Sequence, residues 1–289
     1  MPTQRSQRTV LITGCTDGGI GAELAKEYHS RGLRVFATSR RVDTMKGLAA
    51  LGIETLALDV LNVDSIRTAR ETISSRTEGK LDILVNNAGK LYEAAVIDSD
   101  MNEMRSLFEL NVFAHMSMVQ DFIQLLMAGQ NACIVNIGSG AGLLPVPLQA
   151  GYNASKAAIH AFSDTLRVEL EPFNIRVITT ITSAVKSNIF NPVRFPEHSL
   201  YKSLEGAYNE MHVETNRTAV PTDKFARELV SDTLKSRPPN YSWGGTSAGL
   251  IWFLTSFFPR WVPTKVVTDM YGFNKFSAQV RKERAKVNA

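Results

Sequence analysis

The sequence predicts a single doubly wound α/β domain: one parallel sheet with helices on both faces. Three observations predict it. Short β-branched runs alternate with longer helical patterns through the first two thirds of the chain. A glycine-rich turn separates the first run from the first helical pattern. No Pro/Gly-rich linker, repeat or low-complexity tract divides the 289 residues. An apolar share of 44% and a charged share of 21% are ordinary for globular chains, which excludes disorder, collagen and coiled coil.

The elements follow in order. A polar lead-in without an apolar signal core precedes a buried strand over 9–13. A helix is expected over 20–31, then strands over 34–39 and 54–58 with a helix over 42–51 between them. Helices over 64–75, 102–127 and 151–171 alternate with strand ends at 84–86, 132–137 and 176–182. Residues 186–220 have no clear period and read as a long irregular lid, because stretches of that length are usually functional. A helix over 222–236 and a last strand over 241–243 close a unit spanning 1–245. Residues 246–289 form an aromatic and basic extension.

The 32 basic and 28 acidic side chains leave a net charge of +4, too small and too dispersed to argue for nucleic acid. Two cysteines, Cys15 and Cys133, cannot build a disulfide framework, so a reducing compartment is expected. The five histidines show no metal-ligand spacing, and no metal is expected.

The segment Val10-Leu-Ile-Thr-Gly-Cys-Thr-Asp-Gly-Gly-Ile-Gly21 follows a strand and opens a helix. Missing side chains let the backbone approach a pyrophosphate, and a helix N-terminus offers N–H groups and positive partial charge. Gly14, Asp17, Gly19, Ile20 and Gly21 are the candidate contacts of this loop. The end of the second strand reads Thr38-Ser39-Arg40-Arg41 and holds no acid for a ribose 2′-hydroxyl. Arg40 and Arg41 suit a 2′-phosphate, so NADP(H) is the expected cofactor.

Tyr152 and Lys156 are four apart in a helical pattern and share a face. A neighbouring ammonium favours the phenolate and is expected to lower the phenol's pKa. A second Tyr-x-x-x-Lys, Tyr271 to Lys275, serves as an internal control. Thirteen residues before Tyr152 stands Ser139, at the end of a strand; thirteen before Tyr271 stands Phe258, which donates nothing. A hydroxyl at the C-terminal end of a parallel strand faces the crevice where ligands bind.

With Thr13-Gly14…Gly19-Ile-Gly21, Asp59-Val60, Asn86-Asn-Ala-Gly89, Asn111, Ser139, Tyr152 and Lys156 in this order, residues 9–190 resemble the short-chain dehydrogenase/reductase family of Rossmann-type oxidoreductases. The resemblance implies that Tyr152 gives the proton, Lys156 lowers its pKa and holds nicotinamide ribose hydroxyls, and Ser139 orients the carbonyl. It implies that Asn111 anchors a relay water and that Asp59 and Val60 reach the adenine. Asn87, Ala88 and Gly89 would line the adenosine side, and the Val185 backbone and Ser187 would meet the nicotinamide carboxamide. It also implies a homo-oligomer and a cytoplasmic protein.

Two departures stand out. Four residues, not three, separate Gly14 from Gly19, and the Pro-Gly that commonly follows the sixth strand is replaced by Thr182-Ser183. Within the family the chain looks like the fungal and yeast NADPH-dependent 1-acyldihydroxyacetone-phosphate reductases, through its Gly-Gly-Ile-Gly loop, Arg40-Arg41 and Pro196-Glu-His-Ser-Leu-Tyr201. Related fungal sequences serve as ketoreductases of secondary-metabolite pathways, and these motifs do not separate the two uses. Imine reduction or another tailoring step, and a cofactor-binding protein without turnover, stay open as rival readings.

All three tryptophans, Trp243, Trp252 and Trp261, fall near the C-terminus. As a helix, 248–263 would extend about 24 Å, short of the roughly 30 Å hydrocarbon core. It reads as a membrane-surface segment, an interface, or a wall of the substrate pocket. The first option implies peripheral contact with endoplasmic reticulum or lipid droplet; either of the other two implies a bulky, lipophilic small-molecule substrate.

Overall fold

A computed structural model describes residues 7–187, 189 and 192–287. The lead-in residues 1–6 and residues 188, 190 and 191 of the expected lid lie outside the described residues. Seven parallel strands, β1 (Thr9–Ile12), β2 (Arg34–Ser39), β3 (Glu54–Ala57), β4 (Ile83–Asn86), β5 (Cys133–Ile137), β6 (Arg176–Thr182) and β7 (Tyr241–Gly244), form one sheet in the order β3-β2-β1-β4-β5-β6-β7. The strand order reverses between β1 and β4, the switch point that opens a crevice at the strands' C-terminal ends.

Strand alternation divides the core. One face carries Val10, Ile12, Val85 and Val135, packed by α1 (Ile20–Ser30) and α8 (Thr222–Leu234) through Tyr28, Phe225 and Leu229. The other carries Leu11, Leu84, Ile134 and Val177, covered by α3 (Val63–Arg76), α5 (Ala114–Ala128) and the end of α6 (Ala150–Leu170). Phe122 is fully buried there. Side chains of its class contribute about 1.5–3 kcal/mol each on burial. Cys15 and Cys133 are buried free thiols.

The structure corrects the sequence at four places. The segment after β2 is a 3₁₀ turn, Val42–Met45, followed by a short α2 (Lys46–Ala50). The long helix after β4 is broken into α4 (Met101–Phe108) and α5 by a π-helical turn, Glu109–Phe113. The irregular lid contains a helix, α7 (Glu205–Thr218). Only Tyr208 and His212 of α7 are buried, so its apolar stripe is too thin to show as a period. The extension is three helices, α9 (Ala248–Phe257), α10 (Trp261–Met270) and α11 (Phe273–Val287), because Pro259 ends the first.

Candidate active site

One cleft of about 670 Å³ runs across the C-terminal edge of the sheet. Its first half is built from the loops after β1 to β4. Gly14, Gly19, Ile20, Arg40, Asp59, Val60, Asn87, Ala88 and Gly89 line it. Thr13 clamps this end: its hydroxyl accepts from the N–H groups of Asn87 and Ala88 at 3.0 Å each. Asn87 Nδ2 donates to the Thr13 and Gly14 carbonyls, which ties the glycine loop to the loop after β4. Gly21 is there for close approach: a Cβ on it would stand 2.5 Å from the Gly14 carbonyl oxygen. Its role is backbone packing, since Gly21 is not among the lining residues.

The additional loop residue is absorbed by a turn over 16–19, closed by Gly19 N–H donating to Thr16 O. That turn carries Asp17 away from the lining of the cleft. Asp17 N–H donates to Thr44 O, and its carboxylate accepts from Gly47 N–H at 3.0 Å, docking the loop on α2. Arg41 is likewise outside the lining: it is 72% exposed and pairs with Asp43. Asp59 turns one carboxylate oxygen to the N–H of Leu61. Asn86 does not line the cleft; it bonds Asn136, which bonds Ser163, a buried ladder from the sheet to α6.

The catalytic candidates meet at the middle of the cleft, where Ser139, Tyr152, Lys156, Val185 and Ser187 all line it. Ser139 follows the end of β5 by two residues and caps a 3₁₀ turn by accepting from Ala141 N–H at 3.1 Å. The Ser139 side chain is near enough to the Tyr152 phenol to favour its ionised form. Lys156 Nζ lies 5.7 Å from the Tyr152 ring centroid and donates to the Ile137 carbonyl at 2.8 Å. Burial raises the Tyr152 phenol above its ordinary value; the nearby Ser139 opposes this, and the Glu93 charge adds to it. The expected lowering by Lys156 is therefore not what this geometry gives. Lys156 is itself depressed by burial, to about 8.

Asn111 sits inside the π-helical turn and is fully buried. Its Oδ1 accepts from Lys90 N–H, and its Nδ2 donates to Lys90 O and to Ser155. The side chain is thus committed to the turn after Gly89, which leaves only its backbone for a relay water. Two histidines brace the site in neutral form. Nε2 of His160, one turn after Lys156, accepts from Ser139 N–H at 3.3 Å, and burial lowers the ring to about 4. His115 bonds the Ala88 carbonyl and is lowered to about 3, again chiefly by burial.

The missing Pro-Gly is replaced by backbone stitching. Ala184 O accepts from the N–H groups of both Val220 and Thr246, and Lys186 N–H donates to Val220 O. Ser183 N–H donates to Gly244 O, and Gly245, at φ +98°, packs its backbone on Ser183.

Comparison with known proteins settles the family. Residues 8–197 match the family profile described as short chain dehydrogenase. The chain belongs to the short-chain dehydrogenases. It is 38% identical to the short-chain dehydrogenase virD of Hypocrea virens over 276 residues, 94% of each chain. It is 39% identical to the short-chain dehydrogenase ptmH of Penicillium ochrochloron, over 93% of this chain and 99% of that one. Among solved structures, a short-chain dehydrogenase from Streptomyces avermitilis superposes with a TM-score of 0.77 at 24% identity, covering 96% and 99% of the two chains. One from Burkholderia cenocepacia, solved in complex with NADP, gives 0.67 at 23% identity, covering 87% and 93%. The two superpositions agree with the fold.

In this short-chain dehydrogenase the second half of the cleft comes largely from residues beyond that profile match. Leu250, Ile251, Leu254, Val266, Val267 and Met270 of α9 and α10 make an apolar wall. The extension therefore closes the cleft, and Tyr271, the control residue, lies in the same wall. Its partner Lys275 is on a different helix, so that pair has no helical register. Sequence reasoning missed a polar group at this end. Glu93 Oε1 accepts from Gln149 Nε2 and from the Tyr208 hydroxyl, each at 2.7 Å, and His212 Nε2 lies 3.0 Å away. The available signal was Glu93, the first acid after Asn86-Asn-Ala-Gly89, set in Leu91-Tyr-Glu-Ala-Ala95, and Gln149 three residues before Tyr152.

Proposed function

We propose that this oxidoreductase reduces a carbonyl on a lipophilic molecule with NADPH, Tyr152 giving the proton to the carbonyl oxygen. One observation carries the reading: a phenol neighboured by Ser139 and Lys156 stands where a glycine-bounded crevice meets an apolar pocket.

The residues fit a dinucleotide. The N-terminus of α1 has no side-chain cap, and the Gly14 and Gly19 backbones border the cleft beside it. Arg40 lines the same end, and β2 ends there without an acid of its own, which suits a 2′-phosphate; the Burkholderia neighbour was solved with NADP. When bound, NADPH supplies the hydrogen and two electrons added to the carbonyl carbon. Ser139 holds the carbonyl oxygen beside the Tyr152 hydroxyl and shares the charge that develops there. Tyr152 then transfers its proton, and the Lys156 ammonium stabilises the phenolate left behind. Turnover with NADPH is expected to exceed that with NADH, and Arg40→Ala is expected to raise KM for NADPH about tenfold. Steady-state oxidation of both cofactors over a panel of ketones checks this; a panel without turnover supports the non-catalytic reading instead.

The likeness to the 1-acyldihydroxyacetone-phosphate reductases and that to fungal pathway ketoreductases ask for different substrates, anionic and neutral. The cleft's charges bear on that choice below.

The mouth of the cleft supports contact with an anionic lipid surface. Leu250, Val266 and Met270 line the cleft and are also exposed, and Trp252, Phe253, Phe257 and Trp261 extend that apolar surface outward. Helix α11 adds exposed Lys275, Arg281, Lys282, Arg284 and Lys286 against one acid, Glu283. Among the described residues no helix is long and apolar enough to cross a membrane. The protein is expected to float with phosphatidylserine vesicles and a Trp252→Ser/Phe257→Ser/Trp261→Ser variant to stay behind. Equal flotation of the two removes the lipid reading, and with it an address on endoplasmic reticulum or lipid droplet.

A further inference from the structure

The substrate half of the cleft holds a buried carboxylate and no unpaired cation among its described lining residues. Glu93 is 6% exposed and sits behind Gln149 and His212, which line the cleft. Both Gln149 contacts made through Nε2, to Glu93 and to the Tyr208 hydroxyl, point the amide nitrogen inward. The carbonyl end of that amide is what remains for a ligand. The negative charge reaches the cleft, since Glu93 raises the phenols of Tyr152 and Tyr271, both in the lining.

No lysine or arginine among the described lining residues pairs with Glu93. Lys90 Nζ is held by Glu103 and Ser106 at 3.0 Å each. Lys156 Nζ is bound to the Ile137 carbonyl, and Arg40 stands at the far end, after β2. A phosphate placed beside Gln149 would lose its water, face a like charge and find no free ammonium or guanidinium.

We propose that the Glu93–Gln149–Tyr208–His212 cluster determines specificity, admitting uncharged apolar carbonyl compounds that carry a hydrogen-bond donor and rejecting phosphate-bearing ones. This rests on the reductase reading and names the substrate class of the same site.

The test uses a pair that differs by one group: lauroyl-dihydroxyacetone and its phosphate ester. Expected is a kcat/KM at least about tenfold higher for the neutral ketone. Monolauroylglycerol, and not monolauroylglycerol phosphate at equal concentration, is expected to raise the Tm of the full-length protein. Thr215→Lys places an ammonium in the cleft lining, one turn from His212, and is expected to narrow the kcat/KM ratio by about fivefold or more. Glu93→Gln should narrow it in the same direction. Phosphate ester reduced or bound as well as its neutral partner overturns the proposal, as does failure of both glycerol ligands to shift Tm. If no ketone consumes NADPH, the reductase reading falls, and the order of the two Tm shifts still decides this one.

Discussion

Tyr152→Phe is expected to lower ketone reduction by about a thousandfold while leaving the fold intact, since a positioned proton donor is typically worth 10²–10⁴. The substitution removes one oxygen from a side chain whose ring stays packed between Ser139 and Lys156. Among the described residues no other donor takes the phenol's place: the Lys156 ammonium, 5.7 Å from the ring centroid, is directed to the Ile137 carbonyl. Ser139 is a far weaker acid, and His160 accepts from the Ser139 backbone and is held neutral with a value near 4. The expected pattern is a collapse of kcat with the dissociation constant for NADPH unchanged within about threefold. Steady-state rates, a fluorescence titration of NADPH and a far-UV spectrum supply the three readouts. A variant that keeps more than about a tenth of the wild-type rate would take the proton-donor role away from Tyr152.

Lys156→Met is expected to abolish turnover and to make the protein more stable at pH 7. The ammonium is buried, and its pKa falls from the ordinary 10.5 to about 8. Both folded and unfolded chains carry the proton below pH 8, so the full cost of burying the charge is present there. Between about 8 and 10.5 the unfolded state binds more protons, and stability rises with pH until the cost is gone above 10.5. The depression corresponds to roughly 3 kcal/mol. Methionine keeps the length of the side chain without the charge but gives up the bond to the Ile137 carbonyl, at about 1–3 kcal/mol. The net expected gain at pH 7 is therefore about 1 kcal/mol, shrinking and reversing as pH approaches 10.5. Urea unfolding of both proteins at pH 7 and 9.5 measures it. A variant less stable than wild type by the same margin at both pH values would show that the ammonium carries no burial cost.

The sheet was legible because its strands are buried on both faces, so each appears as an apolar run such as Val10-Leu-Ile12 or Ile83-Leu-Val85. The residues that line the first half of the cleft were legible because their chemistry needs fixed spacing along one loop or one helix. Asp17, Gly21 and Arg41 show the limit of that logic: spacing put them beside the crevice, while hydrogen bonds, packing or exposure leave them outside its lining. The phenol's acidity was misjudged for a related reason. Sequence gives the neighbour, Lys156, but not the depth of burial, and burial dominates both groups. The Glu93 cluster could not be assembled from single residues because its members stand at 93, 149, 208 and 212, and only the packing of α7 against the start of α6 brings them within about 3 Å.

The family profile ends at residue 197, whereas α7, α9 and α10, which enclose the far half of the cleft, all begin after it. The candidate reacting groups all precede that boundary, and most of the apolar wall follows it, while Glu93 and Gln149 join the far half from the first stretch. A chimera that keeps residues 8–197 and borrows the remainder from a relative would exchange the apolar wall, Tyr208 and His212 while retaining Glu93, Gln149 and the candidate reacting groups. Diversification in such a scaffold needs no rewriting of the reacting groups.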